Sequence, residues 1–386
     1  MKRQKAPILS NGFAMFSMFF GAGNITFPLA IGLAVRGNIL LALLGLTCTA
    51  VMIPFAGLLA TTLFKGDYTA FFRRMGPLPG FLVIALLIAL IGPFGALPRC
   101  ITLTYSTLHI YFSSLELSSF SLIAAGVVFL FACKRGRIVD LIGYILTPLL
   151  LLFLFAIVIK GLFFSNAPPP PVGEPLATPF WYGLKEGYNT MDLLASFFFA
   201  SLIYHRFTLS LGHLDGEKRL FLPVLRSCFI GALLLAAVYI GFSFVADRYS
   251  GDLVGTPLDE LLGRIGHLVL GKQAGLVVCM SIALACLTTA IALAVISAEF
   301  LQREVLRHKV RYDYCLIIVL VISYGIATLG FTGIVAILAP VLEVIYPALL
   351  VLSLMNILHK LFGIKIVKTP VYATILFVFA RQLFNL

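Results

Sequence analysis

The stretch Phe20-Gly21-Ala22-Gly23-Asn24-Ile25-Thr26-Phe27-Pro28 lies inside an apolar run from about Ile8 to Val35. A bilayer is crossed by ~20 residues of helix, so this run is long enough to span one. Yet it holds two glycines, an asparagine and a proline. In a helix interior glycine costs ~1 kcal/mol and proline ~3 kcal/mol against alanine, and Pro28 has no N–H to give the carbonyl of Asn24. The spacing predicts an interrupted helix. In lipid, interrupted backbone survives only where it is buried in protein or lines a cavity, because unpaired N–H and C=O groups are expensive in hydrocarbon. Two readings follow: a glycine-packed crossing with a proline kink, or a binding site. In the second, free amides at a half-helix N-terminus suit a carboxylate and free carbonyls suit a small cation.

Composition sets the class. The 386 residues are 61% hydrophobic and 11% charged, with a mean hydropathy of +1.06, which predicts an all-α polytopic membrane protein. Apolar runs predict eleven spans, near 8–35, 38–64, 79–105, 118–133, 138–163, 186–206, 221–246, 274–300, 312–331, 335–358 and 369–386. Met1-Lys2-Arg3-Gln4-Lys5 reads as a cytoplasmic tail rather than a signal peptide. With that end inside, 19 of the 28 Lys and Arg fall in inner segments, in clusters such as Lys134-Arg135-Gly136-Arg137, and 6 in outer ones. The asymmetry predicts a cytoplasmic N-terminus.

The net charge of +12 does not signal nucleic acid, because the basic residues sit in short clusters between apolar runs without an aromatic-basic patch. The seven cysteines and six histidines show no pairing or ligand spacing. No GxxxxGK[ST] loop is present, which argues against ATP-driven transport. The few His, Asp and Glu are scattered, which argues against a membrane enzyme. A repeated pore ring of the kind a channel uses is also missing.

Two outer segments are long. The first, 165–185, contains Pro168-Pro169-Pro170-Pro171, a stiff connector that divides the first ten spans into five and five: 1–164, then 186–358, with 359–386 as an additional helix. The second, Asp247 to Lys272, has the apolar spacing Leu258, Leu261, Leu262, Ile265 and reads either as an interfacial helix over an outer vestibule or as an ordered loop. Five spans per half make the second half inverted with respect to the first. The sixth span should then mirror the first and be interrupted too. It carries Gly187-Tyr188-Asn189-Thr190-Met191-Asp192, a polar patch begun by glycine. Matching interruptions in two halves favour the binding-site reading.

These residues resemble the branched-chain amino acid:cation symporters (LIVCS family, system II carrier proteins) of the amino acid-polyamine-organocation superfamily. The likeness rests on Phe20 to Pro28 and continues through Gly92-Pro93-Phe94-Gly95-Ala96-Leu97-Pro98-Arg99, Gly187 to Asp192, Cys286-Leu287-Thr288-Thr289-Ala290 with Ala298-Glu299-Phe300, and Pro340 to Pro347. It implies a LeuT-type 5+5 inverted-repeat core in a bacterial cell (inner) membrane. It implies uptake of leucine, isoleucine and valine by Na⁺ symport and alternating access, with no cofactor beyond the coupling ion. Gly21, Ala22, Gly23 and Asn24 are implied to face the substrate, with Tyr188, Thr190 and Asp192 opposite. Na⁺ is implied between the first and eighth spans, at carbonyls near Ser17 and Phe20 and at Thr288 and Thr289, with Asn24 at a second cation. The family usually has twelve spans and this chain shows eleven, which leaves its oligomeric contacts open.

Among carboxylates inside or at the edge of spans, Asp192 has four roles open to it: ordering the sixth-span break, meeting the substrate ammonium, pairing with Arg99, or capping a helix end. Glu299, with Arg303 and Arg307 at i+4 and i+8, reads as an inner-interface ion pair. Glu343, between Pro340 and Pro347, reads as a protonatable gate, and a proton-coupled carrier on the same fold would carry H⁺ on an intramembrane carboxylate such as Glu343 or Asp192. Thr288 and Thr289 either bond back to a carbonyl one turn earlier or point into a cavity.

Overall fold

The computed structural model describes residues 8–35, 38–133, 138–163, 177–211, 217–364 and 366–383. Arg36, Lys134, Arg135, Arg137, the tetraproline and the N-terminal basic residues, on which much of the topology reading rests, lie outside the described residues. Within them the chain is helical with no strand. The first span is a bent pair, α1 (Ile8–Phe19) and α2 (Ala22–Ala34), at 75° to one another. The second is α3 (Ile39–Thr47), a π-helical turn (Cys48–Met52) and α4 (Ile53–Thr62). A short α5 (Tyr68–Phe72) leads to α6 (Pro77–Ile91), α7 (Ala96–His109), α8 (Leu117–Cys133) and α9 (Ile138–Phe163). The second half holds α10 (Ala177–Asn189), α11 (Asp192–Leu211), α12 (Glu217–Arg248), α13 (Leu261–Leu270), α14 (Lys272–Phe300), α15 (Tyr312–Ala327), α16 (Gly330–Phe362) and α17 (Lys368–Leu383). Among the described residues five helices are long and apolar enough to cross a membrane, and the bent α1–α2 pair makes a sixth. Shorter apolar helices at Leu117–Cys133, Leu151–Phe163, Asp192–His205 and Tyr312–Ala327 fall at other expected spans, whereas α17, at the expected eleventh, is not among them.

The halves meet through small residues, as expected where lipid supplies no hydrophobic drive between helices and close van der Waals contact must do so. A Cβ on Gly45 or Gly183 would stand 2.2 Å from the Phe180 carbonyl oxygen or 1.9 Å from that of Ala42, so α3 and α10 touch backbone to backbone. Gly32 meets α12 in the same way, 2.1 Å from the Ser243 carbonyl oxygen, and the Ser243 hydroxyl donates to the Pro28 carbonyl at 2.7 Å. Thr49 Oγ1 donates to the Leu184 carbonyl at 3.0 Å. The polar groups along these seams serve to pin α2, α3, α10 and α12 into one frame.

Three boundaries differ from the expectation. The first break is shorter than Phe20 to Pro28: only Phe20 and Gly21 leave the helix, while Asn24 lies in the first turn of α2 and Pro28 inside it. One proline removes one backbone bond, and a helix already anchored by packing on α12 absorbs that loss, whereas Gly21 in extended conformation (φ −127°, ψ −164°) ends it. Helix α10 begins at Ala177, so 177–185 belongs to the sixth span and not to a connector over 165–185. The third span is also interrupted, at Gly92–Gly95, where a Cβ on Gly92 would fall 2.0 Å from Ser297 Oγ of α14. The segment Asp247 to Lys272 does contain a helix: α13 buries Leu261, Leu262 and Ile265 and crosses α14, with Gly275 set against the His267 backbone.

Candidate functional site

At the first break Phe20 still donates its N–H to the Phe16 carbonyl at 2.9 Å, which completes α1. Asn24 caps α2 by accepting the Gly21 N–H on Oδ1 at 3.0 Å. Ala22 and Gly23, the first residues of α2, have N–H groups with no carbonyl one turn back to receive them. Those amides sit at the positive end of the helix dipole, in a fully buried segment.

The second break faces it. Helix α10 ends at Asn189, Thr190 donates its hydroxyl to the Gly187 carbonyl at 2.9 Å, and Met191 takes a left-handed backbone with φ +64° before α11 begins at Asp192. A non-glycine residue held there costs on the order of 1–3 kcal/mol, a strain that collects at functional sites. Gly23 is wedged against this turn: a Cβ on it would stand 2.9 Å from Thr190 Cα and 3.0 Å from the Thr190 carbonyl oxygen.

Asp192 joins the two breaks. Its Oδ2 accepts from Asn24 Nδ2 at 2.6 Å and from the Tyr239 hydroxyl of α12 at 3.1 Å, and Asn24 Nδ2 also reaches Tyr239 Oη. Of the four roles open to Asp192, these contacts correspond to ordering the break. No ion pair links Asp192 to Arg99 among the described residues. Arg99, in the first turn of α7, sends Nη1 to the Asn189 carbonyl at 2.8 Å and to Met191 Sδ at 3.1 Å, and its guanidinium lies over the Phe27 and Phe331 rings.

Between these elements is a cavity. Its polar wall is Gly21, Ala22, Gly23, Asn24, Arg99, Thr190 and Asp192, with Thr289 of α14 alongside Gly21. A Cβ on Gly21 would meet Thr289 Cγ2 at 3.5 Å. Its apolar wall is Met18, Phe19, Ile91, Ala96, Ala195, Phe199 and Leu293, with Cys100 and Met191 between the two. A polar end and an apolar end in one enclosure fit a small amphipathic solute.

The chain matches the sequence profile of the family described as "Branched-chain amino acid transport protein" over residues 4–385. The chain belongs to that family. Among its relatives are the branched-chain amino acid permease BraB of Bacillus subtilis, 30% identical over 91% of this chain and 80% of that protein, and the branched-chain amino acid permease BrnQ of Corynebacterium glutamicum, 30% identical over 92% and 82%. Among solved structures it is similar to Mhp1 in an inward-facing conformation (TM-score 0.67, 13% identity, 93% of this chain and 78% of that one). It is also similar to MhsT in complex with L-phenylalanine (TM-score 0.62, 15% identity, 98% and 99%). The chain is thus a multi-pass membrane transporter of LeuT-type fold, not an enzyme.

In this transporter the breaks bring together Gly21, Ala22, Gly23, Asn24, Thr190, Asp192 and Thr289 from the expected set. Four expected residues lie off the cavity wall. Tyr188 stacks on Tyr346 with ring centroids 4.4 Å apart, and the Phe20 ring stacks on Phe16 at 5.1 Å. Neither Ser17 nor Thr288 lines the cavity. Both Thr288 and Thr289 hydroxyls bond back to the Ala285 carbonyl, at 2.8 and 3.1 Å. Of Phe19, Phe20, Phe94, Phe197, Phe198 and Phe199, the phenylalanines close to the breaks in sequence, Phe19 and Phe199 line the cavity. Phe197 packs on Phe71 and Phe72, Phe198 on Tyr68, and Phe94 is exposed. The lining residues Ile91, Ala96 and Cys100 went unrecognised because the third-span break was not foreseen. Its signal, Gly92-Pro93 followed by Gly95 and Pro98, is of the same kind that marked the first span.

Proposed function

We propose that this protein takes up branched-chain amino acids (leucine, isoleucine and valine) across the bacterial cell membrane by Na⁺ symport and alternating access, with its N-terminus in the cytoplasm. The observation that carries the reading is the 75° bend at Phe20–Gly21 facing the turn at Thr190–Met191 across one cavity with a polar and an apolar end. Opposed interruptions in the first and sixth spans are how inverted-repeat carriers build a midplane site. The residues 1–164 and the span beginning at 177 form the two repeats in this reading, and α17 stands outside them.

The substrate carboxylate meets the Ala22 and Gly23 amides, the ammonium approaches Asp192, and the aliphatic side chain points to Phe19, Phe199, Ile91 and Leu293. Na⁺ lies between the first break and α14, with Thr289 as the hydroxyl ligand closest to Gly21. A shell of neutral hydroxyl and carbonyl oxygens suits a monovalent hard cation better than Ca²⁺ or Mg²⁺, which draw carboxylates. Thr289 reaches such an ion by rotating its hydroxyl away from Ala285. Ser17, Phe20 and Thr288 complete this Na⁺ shell only if the break rearranges. A second cation at Asn24 has less support, because both ends of that amide are engaged.

The test is uptake of labelled leucine into proteoliposomes with Na⁺ replaced by K⁺ at fixed pH. Loss of uptake on the swap supports Na⁺ coupling. Indifference to the swap, with dependence on an inward proton gradient, assigns the same fold to proton coupling instead.

A further inference from the structure

Arg99 has more hydrogen-bonding capacity than its neighbours use. It is the largest fully buried side chain, only 2% exposed, and α7 carries it in the apolar interior where a guanidinium remains charged. Nη1 is engaged by Asn189 and Met191, yet Nε and Nη2 have no hydrogen-bond partner among the described residues. The free Nη2 stands above Gly23, 3.0 Å from where a Cβ would lie, at the edge of the cavity that Arg99 lines. A buried donor pair left unpaired in this way calls for an acceptor.

The surroundings specify what acceptor. The first-turn amides of α2, which have no carbonyl one turn back, and the guanidinium converge on Gly23, so this end of the cavity is positive twice over. The facing edge carries the Asp192 carboxylate. Arg99 and Asp192 are the ionisable groups of the wall, one basic and one acidic, and no ion pair joins them among the described residues. A guanidinium with free N–H groups facing a carboxyl across one small cavity matches an amino acid that spans them.

We propose that Arg99 is a substrate-binding residue that grips the α-carboxylate of the amino acid with Nη2 and Nε, leaving Asp192 for the ammonium. The inference deepens the uptake reading above and rests on it. It adds a requirement that the helix-end amides alone do not impose: the head group must carry a full negative charge, because a neutral amide in that place would leave the guanidinium's charge uncompensated and offer one acceptor oxygen where the fork needs two. The planar fork of arginine matters as well as its charge, since two parallel N–H groups suit the two carboxylate oxygens. Phe27 and Phe331, stacked on the guanidinium, hold the fork in the orientation that presents Nη2 to Gly23.

The experiment is ligand binding to the purified full-length protein by calorimetry, with leucine, leucinamide and 4-methylpentanoate, for the parent chain, Arg99→Gln and Arg99→Lys. The parent should bind leucine about a hundredfold more tightly than leucinamide, the scale of a buried charge-assisted hydrogen bond. Arg99→Gln should bring leucine down to the leucinamide level while leucinamide binding holds, and Arg99→Lys should recover part of the difference. An equal loss for both ligands in Arg99→Gln, or an intact preference for leucine, overturns the proposal. Should Arg99→Gln fail to elute as a single species, Arg99→Lys decides: a narrowed leucine preference supports the proposal and an unchanged one overturns it. Absence of saturable leucine binding to the parent chain overturns the uptake reading itself, a different result from either of these.

Discussion

Asn24 and Asp192 stand 168 positions apart in the chain and share a hydrogen bond of 2.6 Å from Nδ2 to Oδ2. The contact fastens the broken first span to the broken sixth, and the other end of the same amide caps Gly21 at 3.0 Å. Asn24→Ala therefore orphans the Gly21 amide and removes a donor from a buried carboxylate, each a loss of ~1–3 kcal/mol. The expected outcome is a clearly lowered melting temperature in detergent together with loss of leucine uptake. Asn24→Asp should be worse than alanine for uptake, because it sets a second carboxylate against Asp192. Unchanged melting and uptake in both variants would remove the bridge from the account of the site.

Gly23 tests how tightly the two breaks are fitted. A methyl group there would press on the Thr190 backbone at 2.9 Å and on Arg99 at 3.0 Å, and the backbone contact has nowhere to retreat. Gly23→Ala should reduce leucine affinity at least tenfold with normal expression. Gly126→Ala in α8, where nothing lies within 4 Å, should bind like the parent. Equal affinities in equilibrium binding for the two variants would show that the breaks do not form one wall.

Thr289 separates the coupling ions. It lines the cavity beside Gly21, whereas Thr288, one step around the helix, does not. Under Na⁺ coupling, Thr289→Ala should raise the Na⁺ concentration for half-maximal uptake about tenfold, the loss expected for one oxygen ligand worth ~1.4 kcal/mol, and Thr288→Ala should do less. Under proton coupling both variants should transport like the parent. Uptake measured across a Na⁺ titration distinguishes these.

The first and sixth spans were legible because their signals are local: glycine, asparagine and proline in a run otherwise apolar need no partner to be noticed. Pro28 misled, since a proline marks where a bond is lost and not where the helix ends, and the ending fell to Gly21. The roles of Tyr188 and Phe197 were not legible. Each is a large ring beside the break, and only the packing of Tyr346 on one and of Phe71 and Phe72 on the other turns them away from the cavity. Arg99 was visible as a buried charge, but which of its nitrogens lacked a partner depends on where α10 ends.

Asp259 gives the segment between α12 and α13 a pH dependence. It is buried in the turn before α13, with the Ser106 hydroxyl of α7 donating to Oδ2. Burial pushes its carboxyl above the usual range, against the pull of Ser106. A raised folded-state value favours the protonated form, so the stabilisation is complete below the ordinary aspartate value of ~3.9 and is lost as pH rises through the folded one. Thermal stability should fall over that interval in the parent chain, and Asp259→Asn should flatten the fall. An identical pH profile in the variant would exclude Asp259 as its source.

Glu343 offers the last discrimination. Instead of a buried gate it forms an ion pair with Lys185 at 3.1 Å, and the two side chains are 40% and 57% exposed. The pair joins α16 to α10, one turn from the stacked Tyr188 and Tyr346. Exposed pairs of this kind are worth ~0.2–1 kcal/mol, and solvent already screens the charge that Glu343→Gln removes. Leucine uptake in Glu343→Gln should therefore stay within about twofold of the parent, consistent with a loss of no more than a few tenths of a kcal/mol. A proton carrier relying on this carboxylate predicts abolished uptake instead, with counterflow preserved, because exchange of bound substrate does not require the proton to leave. Measuring net uptake and counterflow side by side on this variant decides between a fastening of α16 to α10 and a proton-carrying gate.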